Sequence, residues 1–167
     1  MTGRGGAPIA IRRATAADRD FVVEMRIALM VEATSERRAA GLPVHALDLD
    51  ELRPANERWF DDHMDRDFVA WVAESGGRLV ASIGLLWFAH PPGPTNHRGT
   101  EAYLLNVYTQ PEARRRGIAR ELVGAAIAEA RAAGITRVWL RTSEAGRPLY
   151  ESMGFRSQGD ELRLSLS

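Results

Sequence analysis

Apolar residues recur along the chain with two different periods, and the changes from one to the other mark its elements. Ile9-Ala10-Ile11-Arg12-Arg13 alternates with period two and predicts a strand. Thr15 followed by Asp18 resembles a capping box, with Asp in place of the usual Glu or Gln. Phe21, Val22, Met25, Leu29 and Met30 then fall at helical spacing, and this helix ends before Gly41-Leu42-Pro43. Asp48 and Glu51 cap a second helix, with Pro54 in or near its first turn and Leu52, Ala55, Trp59 and Phe60 facing the core. The acidic stretch 61–67 closes it and reads as solvated surface.

Residues 68–73 and 79–88 read as strands joined by Ser75-Gly76-Gly77, a hairpin signal. The Pro-rich run 90–97 is a loop between strands, placed to cover a site. Residues 102–108 form the next strand. Residues 117–133 form a helix with Ile118, Leu122, Ala126, Ile127 and Ala130 on its buried stripe, stopped by Gly134. Residues 137–141 are a strand, Pro148 opens a short helix that Gly154 ends, and 162–166 are a last strand. An early meander followed by alternating helices and strands predicts a mixed α/β fold with a partly antiparallel sheet.

The length of 167 residues suits one domain, expected over 9–167 behind a loose segment 1–8. Acidic and basic residues balance at 22 each, which argues against a nucleic-acid partner. All 22 basic residues are Arg, so every fixed cation is a planar, multidentate donor suited to phosphate or carboxylate. The absence of Cys excludes a disulfide, a catalytic thiol and a thiolate-bound metal. No apolar run approaches the ~18 residues of a membrane span. The first residues show no apolar signal core, and Thr2 stands where myristoylation needs a glycine, so the expected location is cytoplasmic.

Arg114-Arg115-Arg116-Gly117-Ile118-Ala119-Arg120 lies between a strand and a long helix. A helix N-terminus offers unpaired N–H groups and partial positive charge, which suits a pyrophosphate. Gly117 removes the Cβ from that approach, Ala119 nearly does, and Arg114, Arg115, Arg116 and Arg120 add countercharge. A P-loop is excluded because the chain has no Lys, and no Gly-x-Gly-x-x-Gly follows a strand.

The run from Leu105 to Ala119, followed by an amphipathic helix, resembles the acetyl-CoA-binding core of the GNAT superfamily of N-acetyltransferases. Leu149-Tyr150-Glu151-Ser152-Met153-Gly154-Phe155 resembles the Leu-Tyr…Gly-Phe ending common in that family. The resemblance implies a mostly antiparallel mixed sheet of about seven strands, with helices on both faces and the fourth and fifth strands splayed around the pantetheine arm. It implies backbone bonds to that arm from Val107, Tyr108 and Thr109, and a pyrophosphate held by residues from Arg115 to Arg120, Ile118 and Ala119 included. Ser143 stands where many members carry an Asn that touches acetyl-CoA. No metal is implied; His90 and His97 alone are too few ligands. Many relatives form homodimers.

Attack on a thioester needs a neutral amine, yet on the order of one alkyl amine in a thousand is neutral at pH 7. A base or water relay must take the proton, and the resemblance assigns Tyr150 as the acid for the departing thiolate. Strand alternation would put Glu101, Tyr103, Leu105 and Val107 on one face. Glu101 as base and Tyr103 as the holder of a relay water are both open. A backbone N–H near Val107 would meet the oxyanion. Arg26, Glu32 and Glu36 on the first helix are candidates for the acceptor pocket, the two acids sharing a face that could attract an amine. The implied activity is acetyl transfer from acetyl-CoA to a small-molecule amine, with no membrane partner. A protein N-acetyltransferase and a non-catalytic acyl-CoA-binding module are the competing readings.

Overall fold

The computed structural model describes residues 7–158; the strand expected at 162–166 and residues 1–6 lie outside them. Within the segment expected to be loose, the Ala7 carbonyl already accepts hydrogen bonds from Ser75 Oγ, at 3.2 Å, and from Arg116.

Strand β1 (Ile9–Arg13) leads through a 3-10 turn (Ala16–Asp18) into helix α1 (Arg19–Ala39). The expected box is formed: Asp18 Oδ2 accepts from the Thr15 N–H at 2.8 Å and the Thr15 hydroxyl at 3.0 Å. Arg12 adds two more hydrogen bonds at 2.7 and 2.8 Å, and with Thr15 holds the Asp18 carboxyl well below the usual range. Helix α2 (Leu49–His63) is capped by Asp48, which accepts from the N–H groups of Asp50 and Glu51. Its buried stripe runs through Leu52, Asn56 and Phe60 at successive i, i+4 positions. Ala55 therefore stays accessible rather than buried, and a polar residue occupies an apolar position.

Strands β2 (Phe68–Ser75), β3 (Arg78–Ala89) and β4 (Thr100–Thr109) continue the sheet, followed by a 3-10 turn (Pro111–Ala113), helix α3 (Ile118–Ala132), strand β5 (Val138–Leu140) and helix α4 (Arg147–Ser152). The sheet order is β1-β2-β3-β4-β5; every pair is antiparallel except β4–β5. The described residues thus contain five strands, not the seven expected. Strand β2 is buried on both faces. Phe68, Ala70 and Val72 pack with Val22, Val23 and Ile27 of α1 and Phe60 of α2, while Val69, Trp71 and Ala73 join the cluster built on Leu122, Val123 and Ala126 of α3. Gly84 of β3 is required by this packing. A Cβ there would stand 2.3 Å from the Phe68 ring, itself wedged edge-on between Trp59 and Phe60.

Two irregularities in β4 shape everything that follows. Ser82 pairs with Tyr108 and Gly84 with Leu105, so Asn106 and Val107 together oppose the single residue Ile83. This is a β-bulge, with Asn106 at φ +56°, a left-handed conformation that Asn tolerates better than most residues. Past it the alternation is inverted. Leu105 packs on the α1–α2 side and Asn106 and Tyr108 reach α1, while Val107 joins the α3 side. The expectation that Glu101, Tyr103, Leu105 and Val107 share one face therefore fails at Val107. The second irregularity is that β4 pairs with β5 only at Ala102, Tyr103 and Leu104. From Leu105 to Thr109 that edge of β4 has no strand partner among the described residues.

Candidate active site

The open edge of β4 runs into the turn that starts α3. Gly117 is the N-cap at φ +81°, and a Cβ there would meet nothing within 4 Å. Glycine is thus demanded by backbone conformation, and the space above it is open. Arg115 is also left-handed, at φ +60°, an uncommon state for a side chain of this size. The side chain of Ile118 is buried in the core and anchors the turn, leaving the first-turn amides of Ile118, Ala119 and Arg120 without intrahelical acceptors.

The four arginines are not equivalent. Arg114 donates to the Thr109 carbonyl at 2.9 Å and to Glu32 Oε2 at 2.6 Å, and lies 5.4 Å from the Tyr108 ring centroid. Arg116 bonds Ser75 Oγ at 3.2 Å and the Ala7 carbonyl; Arg120 bonds Ser152 Oγ at 2.5 Å. Arg115 alone of the four has no partner among the described residues, and it is exposed. Ser143 caps the turn before α4, its Oγ accepting from the Gly146 N–H at 3.2 Å.

Tyr150, on α4, is 9% exposed and packs edge-on against Phe155. Its hydroxyl has no hydrogen-bond partner among the described residues, and burial pushes its pKa up to about 12. It shares its cluster with Leu104 and Val107 of β4 and Leu140 of β5, the residues at the point where the two strands part. Glu101 stands near the start of β4, 8% exposed, with Oε1 2.7 Å from Arg137 Nη1 and 3.4 Å from His90 Nε2. The Pro-rich loop folds over this end of the strand, where Arg137 also reaches Thr95 at 3.5 Å. A cleft of about 850 Å³ along the outer side of β5 is lined by Glu101, Arg137, Trp139, Tyr150 and Phe155. Tyr103 stacks at a tilt on Trp139, with ring centroids 4.4 Å apart. Among the described residues no group of three or more His, Asp or Glu could hold a metal.

A second pocket, about 230 Å³, is lined by Arg26, Ala55, Asn56, Trp59, Leu105 and Asn106. Arg26 donates through Nε to Asn56 Oδ1 at 2.5 Å and through Nη1 to Asn106 Oδ1 at 2.6 Å. Burial works against its charge and lowers its pKa. Glu32, expected beside it, instead accepts from Arg114 and from the Tyr108 hydroxyl at 3.0 Å; Arg114 and Tyr108 hold its carboxyl below the usual range against the opposing effect of burial. Glu36 is exposed. Asn56 and Asn106 were not among the residues expected here. Each does leave a mark in the sequence, a lone amide on a helix's apolar stripe and a lone Asn inside a strand, where Asn is disfavoured.

The family model described as acetyltransferase (GNAT) family matches residues 32–155, which spans the bulge, the arginine turn and Tyr150. The chain belongs to the GNAT family. Similar solved structures include a predicted acetyltransferase from Clostridium acetobutylicum determined with acetyl-CoA, 26% identical with a TM-score of 0.80 over 95% of this chain and 96% of that one. A GCN5-related N-acetyltransferase from Ralstonia eutropha JMP134 is 30% identical, with a TM-score of 0.81 over 95% of this chain and 99% of that one. In sequence this GNAT chain is 37% identical to N-acetyltransferase 8 of Rattus norvegicus over 99 residues, covering 58% of this chain and 43% of the relative. To N-acetyltransferase 8 of Homo sapiens it is 34% identical over 98 residues, 57% of this chain and 41% of the relative. The chain thus spans less than half the length of these two relatives. No helix among the described residues is long and apolar enough to cross a membrane.

Proposed function

We propose that this GNAT chain transfers the acetyl group of acetyl-CoA to the amine of a small molecule. The observation that carries the reading is the early end of the β4–β5 pairing. It frees the backbone of Val107, Tyr108 and Thr109 for a pantetheine arm beside a helix N-terminus that Gly117 leaves open and Arg115 can cover. Acetyl-CoA is a substrate in this scheme, and the C. acetobutylicum relative determined with acetyl-CoA supports its choice. The pyrophosphate rests on the Ile118, Ala119 and Arg120 amides and the Arg115 guanidinium. Arg114, Arg116 and Arg120 hold the turn to α1, β2 and α4 through the bonds described above, and they contribute charge at longer range.

The amine first loses a proton. Glu101 is tied to Arg137 and lies six residues before Val107, about 20 Å along an extended strand. Tyr103 is nearer and on the acceptor side of β4, so we assign it the relay water. As the C–N bond forms and the C–S bond breaks, a backbone N–H at the bulge re-aimed by Asn106 faces the oxyanion. Tyr150 meets the departing sulfur. Its pKa of about 12 lies well above the ~8.5 of a thiol, so the phenol keeps its proton and stabilises the thiolate as a hydrogen-bond donor. The second proton that nitrogen sheds as the amide forms passes to the relay water, and the sulfur takes its proton from that relay or from solvent. The acceptor pocket beside Arg26 has room for a small group.

Calorimetric titration with acetyl-CoA, with pantetheine as control, tests the reading. Micromolar binding that needs the pyrophosphate, followed by CoA release with members of an amine panel, is expected. No binding at millimolar acetyl-CoA refutes it.

A further inference from the structure

Several arginines of this chain are paired with acids: Arg12 with Asp18, Arg19 with Asp61, Arg53 with Glu24, Arg114 with Glu32, Arg137 with Glu101. Arg26, which lies deeper than the exposed arginines, has no such pair among the described residues. It is half-buried, lines a pocket, and its bonded partners are two neutral amide oxygens. A guanidinium has five N–H donors. Asn56 and Asn106 take one each, leaving both hydrogens of Nη2 and one of Nη1 unspent. A second group in the same pocket is also unsatisfied: Asn106 Nδ2 is buried with no hydrogen-bond partner among the described residues. Asn56 does not relieve it, because its own Nδ2 is given to the Leu52 carbonyl at 2.8 Å. The pocket therefore gathers a full positive charge and an orphaned donor, with two amide oxygens and no carboxylate among its lining residues.

Such an arrangement is costly to build without a ligand. A buried donor left unpaired destabilises the fold, and a charge out of water does so more unless it is paired. The fold also spends a left-handed Asn106 to aim that amide. Both costs are offset by an anion supplied from outside, and a planar guanidinium edge is matched best by a planar carboxylate held through two parallel bonds. Trp59, stacked on His63 with centroids 4.3 Å apart, gives the pocket a rigid apolar wall for the part of the ligand next to that group.

We propose that Arg26 and Asn106 Nδ2 form a carboxylate-binding subsite, so that the acceptor is an amine that also carries a carboxylate. The assignment of the ligand as the acceptor rests on the transferase reading above; the subsite itself does not. Arg26 and Asn106 bind and orient, and take no part in the bonds made or broken.

The test is a thermal-shift titration of the full chain, which needs no turnover. The probes are N-acetylglycine, N-acetyl-L-alanine and N-acetyl-L-phenylalanine, each against its own amide at equal ionic strength, with O-phosphoethanolamine as the phosphate arm. At least one acid should raise Tm where its amide does not, and Arg26→Gln should abolish the difference. Asn106→Asp is the second variant: it gives Arg26 an internal counter-ion in a residue that tolerates the same backbone, and should also abolish acid binding while the protein stays folded. Acids and amides acting alike, or an acid effect that survives both variants, overturns the subsite. A response to the phosphate probe alone overturns its assignment to carboxylate. In turnover, free amino acids should exceed their amides in kcat/KM by tenfold or more, and Arg26→Gln should remove that preference through KM while acetyl-CoA still binds. If acetyl-CoA fails to bind the wild-type chain but the acid shift persists, the transferase reading falls and the subsite stands.

Discussion

Replacing Tyr150 by Phe removes one hydroxyl from a packed side chain. Because that hydroxyl bonds nothing among the described residues, no partner is stranded and the Phe155 contact survives. The fold should therefore be unharmed, with Tm within a few degrees of wild type. Catalysis should not be. A donor that meets charge as it develops in a buried site is worth about 1.4–4 kcal/mol, a fall in kcat of roughly tenfold to several hundredfold. KM for acetyl-CoA should barely move, since the hydroxyl matters when sulfur becomes anionic and not before. With a pKa near 12, Tyr150 stays protonated throughout the working range. The wild-type pH–rate profile should therefore rise from the acid side as the amine deprotonates and show no fall attributable to Tyr150 below about pH 11. The assay is CoA release read with a thiol reagent, free of background because the chain has no Cys. An unchanged kcat, or a lowered kcat matched by a comparable loss of stability, refutes the role given to Tyr150.

Two further predictions address the cradle and the fold. Gly117→Ala meets no clash but must hold φ +81°, so it should cost about 1–2 kcal/mol in denaturant unfolding and weaken acetyl-CoA binding in calorimetry; an unaltered protein would mean the turn can relax. Asp18 has a pKa below its unfolded ~3.9, so its bonds to Arg12 and Thr15 stabilise the fold fully above that value and progressively less as pH falls through it. Asp18→Asn should cost about 1–3 kcal/mol at pH 7 and flatten the stability loss between about pH 5 and 2, measured by urea unfolding at each pH; equal slopes in both proteins would count against the ion pair.

Local signals along the chain carried most of the architecture. Period-two and period-3.6 patterns depend on neighbouring residues alone, and they placed every helix and strand of the described region to within a few residues. The same locality explains the caps at Asp18 and Asp48 and the open glycine at 117, where a backbone demand is written in the residue itself. Family membership was likewise legible, because the arginine turn and the Leu-Tyr…Gly-Phe segment are contiguous. What tertiary structure alone decided is how side chains distant in sequence share their charges and donors. Nothing near Arg114 announces Glu32, 82 residues away, which takes it out of the row of free cations; nothing near Glu101 announces Arg137. The bulge at Asn106 is a matter of register against β3, and it reverses which face each later residue of β4 presents. Arg26 could be named from the sequence as facing a pocket, but only packing three elements together shows that, among the described residues, it bonds two amides and no acid. Pairing over such separations depends on where the chain returns in space, and a linear pattern carries no record of that.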